Sequence, residues 1–138
     1  MSEHPGRLTY PPVPTIAELV AMLGGSVTPI PVYTAITSSA TPTPAVGASG
    51  ARILYIITAL AVAAELQTPT GTPQDGQELI YRIKDDGTAR ALTYSAGYRA
   101  GTEEALPTTT VISETMYLGF RYNAADAVYD YIGGRGGF

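Results

Sequence analysis

Eight of the eleven prolines in this 138-residue chain (Pro5, Pro11, Pro12, Pro14, Pro29, Pro31, Pro42 and Pro44) fall within its first fifty residues. Proline fixes φ and removes a backbone donor, so this stretch predicts neither a regular sheet nor a long helix. It predicts an extended arm over residues 1–50 with one helical island, "TIAELVAML", at about 15–23. Thr15 is a fair N-cap and Glu18 stands three residues on, the spacing of a capping box. Ile16, Leu19, Val20 and Leu23 share one helix face, and Gly24-Gly25 supplies the stop. So short a helix is unstable alone in water, so its apolar stripe must dock on something. Residues 38–50, "SSATPTPAVGASG", read as an extended loop.

From Ala51 onward the pattern changes to that of strands. "RILYIITAL" is rich in β-branched and aromatic residues, although "ALAVAAEL" also suits a helix. In "LIYRIKD", Leu79, Tyr81 and Ile83 alternate with Ile80, Arg82 and Lys84, and Asp85-Asp86-Gly87 suggests a hairpin tip with a return over Ala89–Tyr94. A second hairpin places Met116, Leu118, Phe120 and Tyr122 inward and Thr115, Tyr117, Gly119 and Arg121 outward. Residues 123–126 turn the chain and "AVYDYI" returns. Short strands at this spacing predict a mainly β fold, a β-sandwich or jelly-roll-like domain over 51–133. The tail 134–138, "GRGGF", reads as flexible by composition.

Only 14% of residues are charged, against about 25% in ordinary soluble domains. A surface so poor in ions is easier to bury against another protein, and ten tyrosines, each with an apolar ring and a polar tip, point the same way. The net charge is −4, Lys84 is the single lysine, and the arginines are scattered. Nucleic acid is therefore not an expected partner. The N-terminus lacks the apolar segment of a secretory signal. The longest apolar run, residues 53–64, is far shorter than the roughly 20 residues that cross a bilayer as a helix, so membrane insertion is not expected.

The same inventory argues against catalysis. His4 is the only histidine and sits in the proline-rich terminus, with no evident group to orient it. Without cysteine there is no disulfide and no thiolate metal site. Asp85-Asp86 reads as turn chemistry and Glu103-Glu104 as a solvated corner, since adjacent carboxylates in turns point apart. Asp75, Asp85, Asp86 and Asp126 lie in loops, but the spacing of a calcium-binding helix–loop–helix is absent. No enzyme activity, metal or cofactor is expected. For Lys84 and Arg90, flanking the Asp-Asp-Gly turn, the expectation is a solvated face rather than a functional charge pair.

The stretch "PTGTPQDGQELIYRIKDDGTARALTYSAGYRA", then "LPTTT", then "TMYLGFRYNAADAVYDYI" resembles a small β-domain recurrent in tailed-bacteriophage virion proteins, at tail-fibre ends and in head-fibre or capsid-decoration proteins. The resemblance covers roughly residues 57–132, with the loop motifs in order. Asp86 stands where Asn is commoner, Tyr129 replaces the usual tryptophan before Asp130, and "RAGTEEALPTTT" is slightly longer than the pattern. The resemblance implies a non-catalytic virion component, often a homotrimer.

Two functions follow as expectations. In the first, the chain is a capsid decoration (cement) protein on the capsid exterior. Its arm binds the major capsid protein through Tyr10, Ile16, Leu19, Val20, Leu23 and Tyr33. Its β-domain self-associates through Tyr94, Tyr98, Tyr117, Tyr129 and Tyr131. Proline stiffening lowers the entropy lost when the arm docks. In the second, it is a tail-fibre or receptor-binding tip protein that contacts other tail proteins or host surface glycan.

Overall fold

The computed structural model describes residues 13, 15–18, 29–47 and 50–138. The fold is mainly β. Among the described residues eight strands form: β1 (Val32–Ile36), β2 (Ile53–Leu60), β3 (Ala64–Leu66), β4 (Glu78–Asp85), β5 (Leu92–Tyr94), β6 (Tyr98–Arg99), β7 (Thr115–Asn123) and β8 (Val128–Arg135). Six of them make one sheet in the order β1-β2-β4-β7-β8-β6, and β3 pairs with β5 in a second, two-stranded sheet.

The main sheet has mixed polarity. β1, β2 and β4 run parallel, β7 and β8 are antiparallel additions, and β6 is parallel to β8. Register explains why the alternating sequences settle here. Ile53, Leu79 and Phe120 form one cross-strand row; Tyr55, Tyr81 and Leu118 form the next; Ile57, Ile83 and Met116 form a third. A one-residue slip of β4 would put Arg82 and Lys84 into this face, so the pattern fixes the register. The smaller sheet covers it: Ala64, Leu66 and Leu92 are buried in the same apolar cluster as these rows. The β7–β8 hairpin and its inward set are as the alternation predicts.

Four expectations are corrected. Residues 79–94 are not a hairpin. β4 pairs with β2 and β7, whereas β5 pairs with β3, so the chain leaves the main sheet at Asp85 and crosses to the second layer. The domain also begins well before residue 51, because β1 belongs to the main sheet and Pro42, Pro44 and Val46 are buried. The prolines flank β1 rather than interrupt it, leaving Val32 N–H free to reach the Arg52 carbonyl at 2.8 Å. The tail, in turn, is not loose. β8 runs to Arg135, and Thr115 N–H donates to the Phe138 carbonyl at 2.8 Å. Lastly, of the five tyrosines expected at an oligomer interface, Tyr98, Tyr129 and Tyr131 are buried in the protomer and Tyr94 packs against its core.

In the arm, residues 16–18 are helical, and the Glu18 N–H donates to Thr15 Oγ1 at 3.2 Å, the N-cap contact expected of Thr15. Ile16 is exposed. Tyr10, Leu19, Val20 and Leu23 lie outside the described residues.

Candidate functional site

The tyrosines expected at an oligomer interface separate into two groups. Tyr98, Tyr129 and Tyr131 are buried, and Tyr94 is half-buried against the core. Their rings form a cluster inside the protomer: Tyr98 lies 4.8 Å from Phe120, Phe120 5.4 Å from Tyr131, and Tyr122 4.9 Å from Tyr129, centroid to centroid. Tyr81 Oη and Tyr98 Oη are 2.7 Å apart, and Tyr98 donates onward to the Gln67 carbonyl at 2.7 Å, tying the main sheet to the chain after β3. Burial pushes the Tyr98 and Tyr94 hydroxyls well above the ordinary phenol range and the Tyr129 hydroxyl up to about 12. These four residues are core. Alternation carried the signal, since Tyr129 and Tyr131 flank an outward Asp130. Tyr117 alone of the five faces out.

The loop motifs are likewise occupied with holding the fold. Asp75 accepts the Ala124 N–H at 3.0 Å, and the buried Gln77 amide donates to the carbonyls of Ala51 at 2.6 Å and Val46 at 3.2 Å. Gly76, at φ 80°, donates its N–H to the Tyr122 carbonyl. Thr110 pairs through its backbone with Arg90, while its hydroxyl accepts the Arg90 N–H and donates to buried Asp85. Asn123 Oδ1 accepts the N–H groups of Ala125 and Asp126 in the β7–β8 turn. "DGQ", "LPTTT" and "YNAAD" thus each carry contacts that hold the domain together, while Asp75, Gly76, Thr108, Thr109, Ala124, Ala125 and Asp126 stay exposed.

What remains is the outer face of the main sheet. Cross-strand register aligns Tyr33, Leu54, Ile80 and Gly119 in one row, which Ile132 completes beside Gly119. A Cβ at Gly119 would come within 3.3 Å of Ile132 Cγ1, so glycine there lets Ile132 lie close across β7. Tyr117 and Phe138 meet edge to face, 5.9 Å apart, next to it. Together with Ile80 and Gly133 these residues line a shallow depression of about 660 Å³, rimmed by Glu104 and Arg135. Tyr33 is 65% exposed, Ile132 58% and Phe138 68%, a concentration of large apolar side chains on one face.

Charge is sorted on the same face. Along one border Glu78 accepts from Arg52 and Arg121, each at 2.8 Å, and Arg99 bridges Asp130 and Asp126. The Arg52 hydrogen bond, aided by Arg121, holds the Glu78 carboxyl below its usual range, and Arg99 does the same for Asp130. Near the Asp-Asp-Gly bend, Arg90 pairs with Asp86 at 2.8 Å within its own loop. Arg82, Lys84 and Arg135 form no ion pair with described residues, and register sets Arg82 and Arg135 on either side of Tyr117. The open part of the face is therefore apolar, with Arg82, Lys84 and Arg135 outside any ion pair among the described residues and Glu104 as the acid at the rim of the depression.

Sequence reading picked out Tyr117 but missed Ile80, Ile132 and Phe138. Ile80 was visible as the one apolar residue on the outward side of β4. Among the described residues no group of acids and histidine stands at metal-ligand spacing, and no helix is long and apolar enough to cross a membrane. Compared with family models and with curated protein sequences, the chain gives no match.

Proposed function

We propose that this protein is a structural component of a tailed-bacteriophage virion, a capsid decoration protein on the head exterior. In this reading the segment before residue 29 anchors to the major capsid protein, and the β-domain associates with further copies, in the homotrimer that the motif resemblance implies. The observation that most supports it is the outer sheet face. An apolar row flanked by cations that pair with no described acid suits a protein surface carrying carboxylates. Tyr33, expected in the arm, instead begins that row, so anchoring falls to residues that precede the sheet.

The test is co-sedimentation of the full chain and of a variant lacking residues 1–28 with undecorated heads. The truncation stops short of β1 because removing Val32–Ile36 would strip a strand from the sheet. Saturable binding of the full chain in multiples of three, lost in the truncated but folded protein, is the expected result. If the truncated protein saturates heads equally well, the anchoring role of the arm is wrong.

The depression beside Tyr117 favours a second reading, a tail-fibre tip protein. Two aromatic rings over a glycine floor, with Glu104 and Arg135 at the rim, suit one sugar ring of a host glycan. Absence of head binding together with adsorption to host cells, abolished by Tyr117→Ala, would favour that reading over decoration.

A further inference from the structure

The two edges of the main sheet are built differently. At one edge, β6 is two residues long and ends in Arg99, which is held by Asp126 and Asp130. Short strands and edge charges are the usual protection against unwanted strand pairing. At the other edge, β1 reads Val32-Tyr33-Thr34-Ala35-Ile36, with no charge, no proline and no register shift against β2.

Among the described residues its backbone valence is half used. Val32 pairs with Ile53 in register and donates to the Arg52 carbonyl. In a parallel ladder, alternate residues turn both backbone groups to the same neighbour, so Val32, Thr34 and Ile36 spend theirs on β2. Tyr33 and Ala35 turn theirs to the open edge, where no described strand meets them.

We propose that β1 is a self-pairing edge: two copies of this chain join β1 to β1 antiparallel about a two-fold axis at Thr34, forming one continuous sheet. The sequence of the strand fits itself in this register. Tyr33 of one copy exchanges both backbone hydrogen bonds with Ala35 of the other, and the reverse, which satisfies every open group on β1. Their side chains share the outer face, so a 65%-exposed tyrosine lies over an alanine, large over small. On the inner face Val32 meets Ile36 and Thr34 meets its own counterpart, β-branched against β-branched. No like charges meet. The contact is isologous and closes at two copies, as a two-fold interface must.

A five-residue edge buries far less than the roughly 1,000 Å² of a stable interface, so the free dimer is weak and gains occupancy where copies are held close together. The contact does not depend on the decoration reading. β1 also lies three strands from β7 and the depression at Tyr117, about 14 Å across the sheet.

The chain contains no cysteine, so Thr34→Cys introduces a single thiol into an empty background. Across the axis the two Cα atoms of residue 34 would stand about 4.5 Å apart, within disulfide reach. Ala35→Cys is the control, because in this register its own counterpart lies beyond the roughly 7 Å limit. Mild oxidation of concentrated protein is expected to give a covalent dimer in Thr34→Cys and severalfold less in Ala35→Cys. Equal cross-linking of the two, or none in Thr34→Cys, overturns the proposal. In parallel, sedimentation equilibrium should show in the wild type a concentration-dependent doubling of mass, separate from any threefold step, that Ala35→Lys abolishes with an unchanged circular dichroism spectrum. The same step persisting in folded Ala35→Lys also overturns it. Head co-sedimentation of Ala35→Lys is read separately, so failure of this contact is distinguishable from failure of the decoration reading.

Discussion

Thr110 donates its hydroxyl to Asp85 Oδ2 at 2.8 Å inside the protein, joining the end of β4 to a loop twenty-five residues further on. Asp85 Oδ1 accepts the N–H groups of Ser113 at 2.8 Å and Gly87 at 3.0 Å. Burial alone would raise the Asp85 pKa, but these donors together hold it below the usual carboxylate value. Ser113 adopts φ 62° to bring its N–H there.

Asp85→Ala strands these donors, and each buried unsatisfied group costs about 1–3 kcal/mol. Urea denaturation at pH 7 should show a loss of at least about 2 kcal/mol. Because the folded pKa is depressed, the ionised carboxylate contributes its stability above the unfolded value of about 3.9. That contribution disappears as pH falls through the folded pKa. The gap between wild type and Asp85→Ala should therefore narrow below about pH 4; a gap that widens there contradicts the assignment.

The Tyr81–Tyr98–Gln67 chain has a direction. Tyr98 is donor to the Gln67 carbonyl and partner to Tyr81, whereas Tyr81 ends the chain. Tyr98→Phe leaves a hydroxyl and a carbonyl without partners, but Tyr81→Phe leaves Tyr98 still donating. Thermal denaturation should find Tyr98→Phe the more damaging by about 1 kcal/mol or more. The reverse order would contradict this network.

Tyr129 Oη is buried with no hydrogen-bond partner among the described residues. An unpaired hydroxyl carries a desolvation cost without a compensating bond. Tyr129→Phe keeps the ring contacts with Tyr98 and Tyr122 and should raise stability by about 1 kcal/mol. A measured loss of stability would mean that the hydroxyl is satisfied.

Ala127 closes the β7–β8 turn at φ 55°, a left-handed conformation that costs an L-residue roughly 1–2 kcal/mol. Against this, glycine loses more chain entropy on folding. Ala127→Gly should stabilise by about 0.5 kcal/mol, whereas Ala124→Gly, in the same turn but outside that region, should destabilise. Matching signs for the two variants would count against strain at Ala127.

The inner face of β4 and the β7–β8 hairpin were legible because alternation is local: Leu79, Tyr81 and Ile83, or Met116, Leu118 and Phe120, declare their side within a few residues. The partner of a strand is not local. Asp85-Asp86-Gly87 looks like a hairpin tip because Asp and Gly suit a tight bend, and nothing nearby says that Asp85 turns inward to meet Thr110 and Ser113. The parallel pairing of β1 with β2, and of β2 with β4, leaves no mark of its own in either strand. At the candidate surface, Tyr117 was read from the parity of β7. Phe138 was hidden behind glycines that predict looseness, although its backbone pairs with Thr115.

β4 sits at the middle of the main sheet, between a parallel partner that precedes it and an antiparallel partner that follows it by some thirty residues. It can gain neither neighbour by a short local turn. Each pairing first requires a long loop to close, at an entropic cost that the contacts repay only afterwards. A nascent chain ending before Thr115 thus holds an open, apolar central strand. The β4–β7 pairing is thus a contact of high loop-closure cost, unlike the β7–β8 hairpin beside it, which closes across a few residues.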